Sequence, residues 1–403
     1  IQQGLKGSQS TVARLVREEA AQVAVFGKGK ATLYAGRRTV PGLGEGVPFC
    51  RVDEAGKLES LGELRFLQPR HTAWVSPSGK ATLYPGIPFF IWDLRMQGFL
   101  GRVFAAGNSE LNLPTRLNEW SDAHHWLAWA CRGEDLPGNL LIGQESLERL
   151  LSKRKAPLAV FSYSEQATRA LEGAGGSSPG GEQPKFTAPG LIVKFSPLLE
   201  SAGARRWADL LVVEEVALSA LSELGVPCAV PRIQEQEGRT FLESPRFDRV
   251  SAEGRVGVLS LEAASLGFLE ELPRNWTEAA QKFLERKFIT REEAARMAIA
   301  DAFGAWISNT DRHAGNLSFF WEAGQKKLRL APVYDMLPMA FAPVNGEVVV
   351  RPFWEPVPSA RWLVEFEIAR KGALKFWEKA SHDSRISAEF RRICGERAVH
   401  VNG

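Results

Sequence analysis

Residues 171 to 190 read LEGAGGSSPGGEQPKFTAPG, a run too rich in Gly and Pro for the interior of a helix or a strand. LIVKF follows as a short strand-like run. An amphipathic stretch from about Ala208 to Leu224 comes next and is closed by Gly225. This order sets a loop of exposed backbone beside a strand carrying Lys194 and a helix carrying Glu214 and Glu215. Side chains alternate along a strand, so Lys194 can point inward while its neighbours pack. A half-buried ammonium needs a carboxylate, and either glutamate can supply one. Gly180 and Gly181 free the backbone, so that successive N–H groups can cup a phosphate. The loop matches neither G-x-G-x-x-G nor G-x-x-x-x-G-K-[ST]. By itself it fits a flexible linker equally well, and a lone strand lysine is usually a surface residue. A phosphate site therefore needs further polar groups elsewhere in the chain.

TDRHAGN (310–316) stands between Trp306 and Ile307 on one side and Phe319 and Phe320 on the other. Asp311 can orient an acceptor hydroxyl and take its proton, while Asn316 offers an amide oxygen to Mg²⁺. Alone, the pair fits a capped polar turn. Asp335, at the end of LRLAPVYD, adds the main Mg²⁺ carboxylate. His313 reads as a structural hydrogen-bonding residue, because a carboxylate already fills the role of base. Glycine loop, strand lysine, acid-bearing helix, polar loop and strand-end aspartate form the layout of a two-lobed nucleotide-dependent phosphotransferase.

The rest of the chain permits this. Its 403 residues, 44% of them apolar, can bury more than one core, and 12 Trp with 23 Phe fit large aromatic interiors. A formal net charge of +3 allows anionic partners without requiring them. Cys50, Cys131, Cys228 and Cys394 show no C-x-x-C, which fits a reducing compartment. There is no apolar run of membrane length and no signal peptide, so a cytoplasmic protein is expected. Lacking an initiator Met, the chain reads as beginning inside a longer protein. GSQSTVARLVREE fits a capped helix, either an ordinary surface helix or the second half of a helix-turn-helix. GKATLYxG occurs at Gly29–Gly36 and at Gly79–Gly86, which predicts two matching hairpins or paired strands. The adjacent His124 and His125 lack zinc spacing and read as structural. The expected domains are a helix-turn-helix remnant (1–20), a β-rich subdomain (21–115), an ATP-binding N-lobe (116–245) and a helical catalytic C-lobe (246–403), in an α+β, protein-kinase-like fold. After TFLESPRFDRV (240–250) the chain is expected to be mostly helical to about Ile307.

GGEQPKF, LIVKF, PRFDR, the TDRHAGN core and LAPVYDM together resemble the HipA family of serine/threonine kinases, the toxin component of bacterial toxin–antitoxin pairs. Within it the chain is most similar to the YjjJ-like branch, whose members carry their own N-terminal helix-turn-helix. The resemblance implies Asp311 as catalytic aspartate, Asn316 and Asp335 as Mg²⁺ ligands and Lys194 as the ATP lysine. It also favours Glu214 as the lysine's partner. Gln183 and Lys185 belong to the loop motif, and the segment from Glu243 to Phe247 would line the adenine side. Ser178 falls on the family's autophosphorylated serine, with Ser177 beside it as a competitor. Implied partners are ATP with Mg²⁺, a protein substrate phosphorylated on Ser or Thr (an aminoacyl-tRNA synthetase for some members), operator DNA and an antitoxin. Two other readings stand beside this one: a small-molecule phosphotransferase, and a DNA-binding regulator with a non-catalytic kinase-like body.

Overall fold

The computed structural model describes residues 9–27, 32–155, 162–174, 182–349 and 351–403. Helix α1 (Gln9–Glu18) leads into a hairpin of β1 (Val23–Phe26) and β2 (Leu33–Gly36). An antiparallel five-stranded sheet follows, made of β3 (Gly46–Val52), β4 (Leu58–Leu67), β5 (His71–Val75), β6 (Ala81–Pro85) and β7 (Leu140–Ile142), in the order β6-β5-β4-β3-β7. The two GKATLYxG copies each supply the second strand of a hairpin, β2 on β1 and β6 on β5, but in different sheets. They do not pair with each other.

The sheet encloses an aromatic core. Trp126 and Trp129 stand 5.0 Å apart edge to face, and Phe66 lies 5.0 Å from Trp126. Both tryptophans belong to α3 (Asp122–Arg132), which follows α2 (Gly98–Gly107) and precedes α4 (Gln144–Lys155). Strand β7 pairs with β3 from Phe49↔Ile142 to Arg51↔Leu140. The chain therefore stays with this first sheet through α4, and the expected boundary at 115 cuts through the unit. A three-residue apolar run is too short to register as a strand by periodicity.

The next unit is a four-stranded antiparallel sheet, ordered β10-β11-β9-β8: β8 (Lys185–Ala188), β9 (Leu191–Phe195), β10 (Arg232–Gln236) and β11 (Arg239–Pro245). Its two faces differ in character. Phe186, Val193, Phe195 and Phe241 pack with Phe99 of α2 and with Ala167 and Ala170 of α5 (Tyr163–Gly173). The opposite face, carrying Lys194, looks at α6 (Ala202–Ser222). That helix starts before the expected Ala208 because Ser201 caps it, accepting the Ala204 amide at 3.1 Å. It ends ahead of Gly225, whose φ of +79° turns the chain away.

The remaining lobe holds a small sheet of β12 (Val258–Ser260), β13 (Ser318–Phe320) and β14 (Arg329–Leu330), with helices around it. These are α7 (Leu261–Ala264), α8 (Trp276–Glu285), α9 (Arg291–Trp306), α10 (Leu363–His382) and α11 (Ala388–Asn402). Helix α9 begins with a capping box between Thr290 and Glu293. Of the stretch 251–275, expected to be largely helical, only 261–269 is helical. PRFDR, at the end of β11, forms a buried ion network with the 134–139 turn, in which Gly138 donates its amide to Asp248 at 2.7 Å. Among the described residues no helix is long and apolar enough to cross a membrane.

Candidate active site

Lys194 lies mid-strand in β9 and is 5% exposed. Its Nζ donates to Glu214 Oε1 at 2.7 Å and Oε2 at 2.6 Å, and also to Asp335 Oδ1. Burial alone would lower the lysine pKa, but Asp335 and Glu214 outweigh it and raise the pKa, so the ammonium stays charged. One cation against two carboxylates leaves the trio net negative. Lys185 stands directly opposite Lys194 in the β8–β9 register and so shares its face, where its charge acts on both carboxylates. Glu215, the other candidate partner, faces away and binds Arg385 at 2.5 Å. Helical spacing explains the choice, since adjacent residues on a helix point in different directions.

Asp335 holds a φ of +52°, sparsely populated for a residue with a Cβ. Its backbone oxygen is held by Asn309 Nδ2 at 3.3 Å, and Asn309 Oδ1 accepts the Asp311 amide at 3.0 Å. Asn309, 1% exposed, thus ties the strand-end aspartate to the polar loop. Asn316 Nδ2 donates to the Asp311 carbonyl at 2.8 Å, closing that loop. This fixes the amide with its nitrogen inward. Asn316 Oδ1 and Asp335 Oδ2 accept no hydrogen bond among the described residues. The Asp311 carboxylate is exposed at the tip of the loop. His313 accepts the Gly315 amide at Nδ1 (3.0 Å), and its Nε2 stands 3.9 Å from Asp311. Its place is that of a turn cap.

Supporting contacts come from residues the sequence does not single out. Arg312 Nε binds Asp301 Oδ1 at 3.1 Å, and Asp301 Oδ2 accepts the Thr277 amide and hydroxyl. Tyr334 donates its hydroxyl to the Gly315 carbonyl at 2.8 Å and meets Ser318 Oγ at 2.9 Å. Burial pushes this phenol well above its usual range. Asn309 and Asp301 share a signal that could have found them: each is a short polar residue inside an apolar stretch next to the loop.

Not every expected residue converges. Glu243 sits opposite Val193 in the β11–β9 register, on the face away from Lys194, and accepts the Tyr163 hydroxyl at 2.7 Å. Strand alternation therefore turns its side chain away from the lysine site, while the segment that follows it, expected on the adenine side, continues to Phe247. Phe247, from the same segment, lies 5.8 Å from the Tyr334 ring. Gln183 is buried, and its Nε2 has no partner among the described residues. Ser177, Ser178, Gly180 and Gly181 lie outside the described residues.

The donor set suits Mg²⁺ with a polyphosphate. Mg²⁺ prefers hard oxygen ligands and commonly takes one or two from protein and the rest from phosphate and water. Asp335 and Asn316 offer such oxygens, and the two carboxylates around Lys194 outnumber its charge. Among the described residues no group of three or more His, Cys, Asp or Glu is placed to hold a metal.

Comparison with known proteins agrees with this architecture. A model of the YjjJ-like toxin middle domain matches residues 43–151, and one of the HipA-like C-terminal domain matches 177–400. Toxin YjjJ of Escherichia coli (strain K12) is 34% identical over 418 residues, an alignment that covers 98% of this chain and 92% of that protein. A chain of the Shewanella oneidensis MR-1 toxin antitoxin complex of HipA, HipB and operator DNA superposes with a TM-score of 0.51 at 13% identity, covering 88% of this chain and 95% of that one. The fold is thus the α+β, two-lobed, kinase-like fold of HipA-type toxins. Within that class the chain belongs to the HipA family as a YjjJ-like toxin.

Proposed function

We propose that the chain is an ATP- and Mg²⁺-dependent kinase that phosphorylates serine or threonine of a protein target. The observation that carries this reading is Lys194, held by Glu214 from its own lobe and by Asp335 from the other, with the Asp311–Asn316 loop tied to Asp335 through Asn309. Lys194 and Lys185 would pair with the phosphates, and Gly180, Gly181 and Gln183 would form the loop over them. Asp335 and Asn316 would hold Mg²⁺, which spreads the charge of the transferring group. Asp311 orients the acceptor hydroxyl and takes its proton as that oxygen bonds to the γ-phosphorus and ADP departs. Ser178, or Ser177 beside it, is proposed as a site of autophosphorylation. Partners by analogy with the HipA complex are an antitoxin and operator DNA, the latter bound through a complete N-terminal domain, with the cytoplasm as the place of action.

The test is incubation of the purified chain with labelled Mg-ATP and cell lysate. Label should appear in protein, and Lys194→Met and Asp311→Asn should abolish it. Label confined to low-mass metabolites would identify a small-molecule phosphotransferase. Nucleotide binding without turnover would identify a regulator with a kinase-like body.

A further inference from the structure

Asp93 lies in the short helical turn Phe89–Leu94 and reaches out of its own module. Its Oδ2 accepts the Ser260 amide at 2.6 Å, and its Oδ1 accepts the Ser260 hydroxyl at 2.5 Å. Ser260 ends β12 and caps α7, where its oxygen accepts the Ala263 amide at 3.0 Å. The cap uses the acceptor side of that hydroxyl, and Asp93 takes its proton. Burial raises the Asp93 pKa while the hydrogen bonds from Ser260 pull the other way, so the carboxylate is held there at a cost. From Ser260 the contacts run on towards the polar loop. Ser260 stands opposite Ser318 in the β12–β13 register, and the Leu261 amide donates to the Leu317 carbonyl at 2.7 Å. The Tyr334 hydroxyl gives its one proton to the Gly315 carbonyl at 2.8 Å, so Ser318 Oγ, 2.9 Å away, is the donor to that phenol. Burial, with the charges of Asp335 and Asp93 behind it, keeps the Tyr334 proton in place. Gly315 belongs to the loop that Asn316 closes on the Asp311 carbonyl. Asp93 falls within the middle-domain match, and Ser260, Gly315, Ser318 and Tyr334 fall within the C-terminal-domain match. The same turn makes a second crossing, in which Trp92 Nε1 donates to Glu262 Oε1 at 2.9 Å. That crossing ends on a carboxylate shared with Arg95.

We propose that Asp93 is a positioning residue for the Asp311–Asn316 loop: through Ser260, the β12–β13 pair and Tyr334, the middle domain sets the alignment of Asp311 and Asn316. Asp93 acts only through Ser260, the one residue to which its carboxylate is hydrogen-bonded among the described residues. Holding Ser260 holds the end of β12, and the paired strand β13 begins two residues after Asn316. A displacement there moves both groups together, and a misplacement of about 1 Å can cost roughly 10²-fold in rate. The inference rests on the kinase reading for its chemistry, but the line of hydrogen bonds is a property of the unliganded protein.

Two measurements on the full chain separate the two. Phosphorylation kinetics compare wild type with Asp93→Asn, Ser260→Ala, Tyr334→Phe, Trp92→Phe and the double variant Asp93→Asn/Tyr334→Phe. In Asp93→Asn, Ser260→Ala and Tyr334→Phe the rate at saturating Mg-ATP should fall about tenfold, while KM for ATP stays within about twofold of wild type. Trp92→Phe breaks the other crossing from the same turn and should keep the rate within about twofold of wild type. The double variant should be no more than about twofold slower than its slower parent, because groups on one line of contacts are not additive. Additive losses, or an equal loss in Trp92→Phe, would overturn the proposal, since both describe a general loosening of the interface. A rate within about twofold of wild type in Asp93→Asn would overturn it as well. If wild type transfers no phosphate, the kinase reading falls, and amide hydrogen exchange of residues 311–317 without nucleotide decides the link by itself. Faster exchange in Asp93→Asn than in Trp92→Phe upholds it, and equal exchange overturns it.

Discussion

At the scale of single residues, the proposed kinase reading separates groups that would meet substrate from groups that hold them. Asp311 presents an exposed carboxylate, so on that reading Asp311→Asn keeps the loop and removes the charge proposed to orient the acceptor. Turnover should fall by roughly 10²-fold or more while Mg-ATP affinity persists, checked by phosphorylation rate and titration. Asn309 never reaches the acceptor. It joins Asp311 N–H to the Asp335 carbonyl, so Asn309→Ala should lower the rate by roughly tenfold through lost alignment. An unchanged rate would show that Asp335 keeps its place without this tie. The residues legible in the sequence are those whose type clashes with its surroundings. Lys194 stands in an apolar strand, and Asp311, Asn316 and Asp335 stand between apolar runs. The direction of the Glu243 side chain is not legible in the sequence, because whether a strand residue faces the lysine depends on register parity, which no single strand reveals. Asn309 shows in the sequence only as a short polar residue beside the loop, and the backbone atoms it joins become visible in the fold.

At the scale of elements, α3 shows how packing sets chemistry. His124 accepts the Ser121 amide at 3.0 Å and completes a capping box, while His125 lies between Trp120 and Trp129. Burial, aided by the positive charge of Arg95 and opposed by Asp122, lowers the His125 pKa to about 4 from its ordinary 6.5. Below pH 6.5 the unfolded chain takes up a proton at this site, and the folded one does not until about pH 4. This contribution to stability is thus complete above pH 6.5 and is lost as pH falls towards 4, with a slope of up to about 1.4 kcal/mol per pH unit. Urea denaturation from pH 7 to 4 should show a shallower loss for His125→Phe than for wild type. Parallel curves would mean that the ring is hydrated in the fold. The structural role of both histidines is legible from their adjacency and the missing zinc spacing. Helix α6 and strand β9 are legible from periodicity. Strand β7 is not, because three apolar residues carry no period, and the domain boundary drawn at 115 inherits that error.

At the scale of the whole molecule, the unit of the five-stranded sheet is joined to the lobe carrying Asp311 at several places, among them Asp93 with Ser260 and Arg51 with Glu322. PRFDR adds a buried ionic joint. Arg246 and Arg249, buried together, both donate to Asp248, at 2.9 and 2.7 Å, and both reach Asp135 and the Leu136 carbonyl in the turn that leads to β7. Burial works against the Asp248 carboxylate, yet the two guanidinium groups and the Gly138 amide hold its pKa below the usual range. Removing this one anion leaves the two buried cations with only the exposed Asp135 carboxylate between them. Asp248→Ala should therefore cost about 3–5 kcal/mol, well beyond an ordinary surface change. The break lies between the sheet and the lobe carrying Asp311, so the loss need not be uniform. Urea unfolding followed by tryptophan fluorescence should shift to lower denaturant and separate into two steps, the earlier one from the Trp126–Trp129 core. Asp248→Asn, which keeps an oxygen for the Gly138 amide but loses the charge, should fall between Ala and wild type. A single transition displaced by less than about 1 kcal/mol in Asp248→Ala would place the joint elsewhere, in the apolar contacts between the modules.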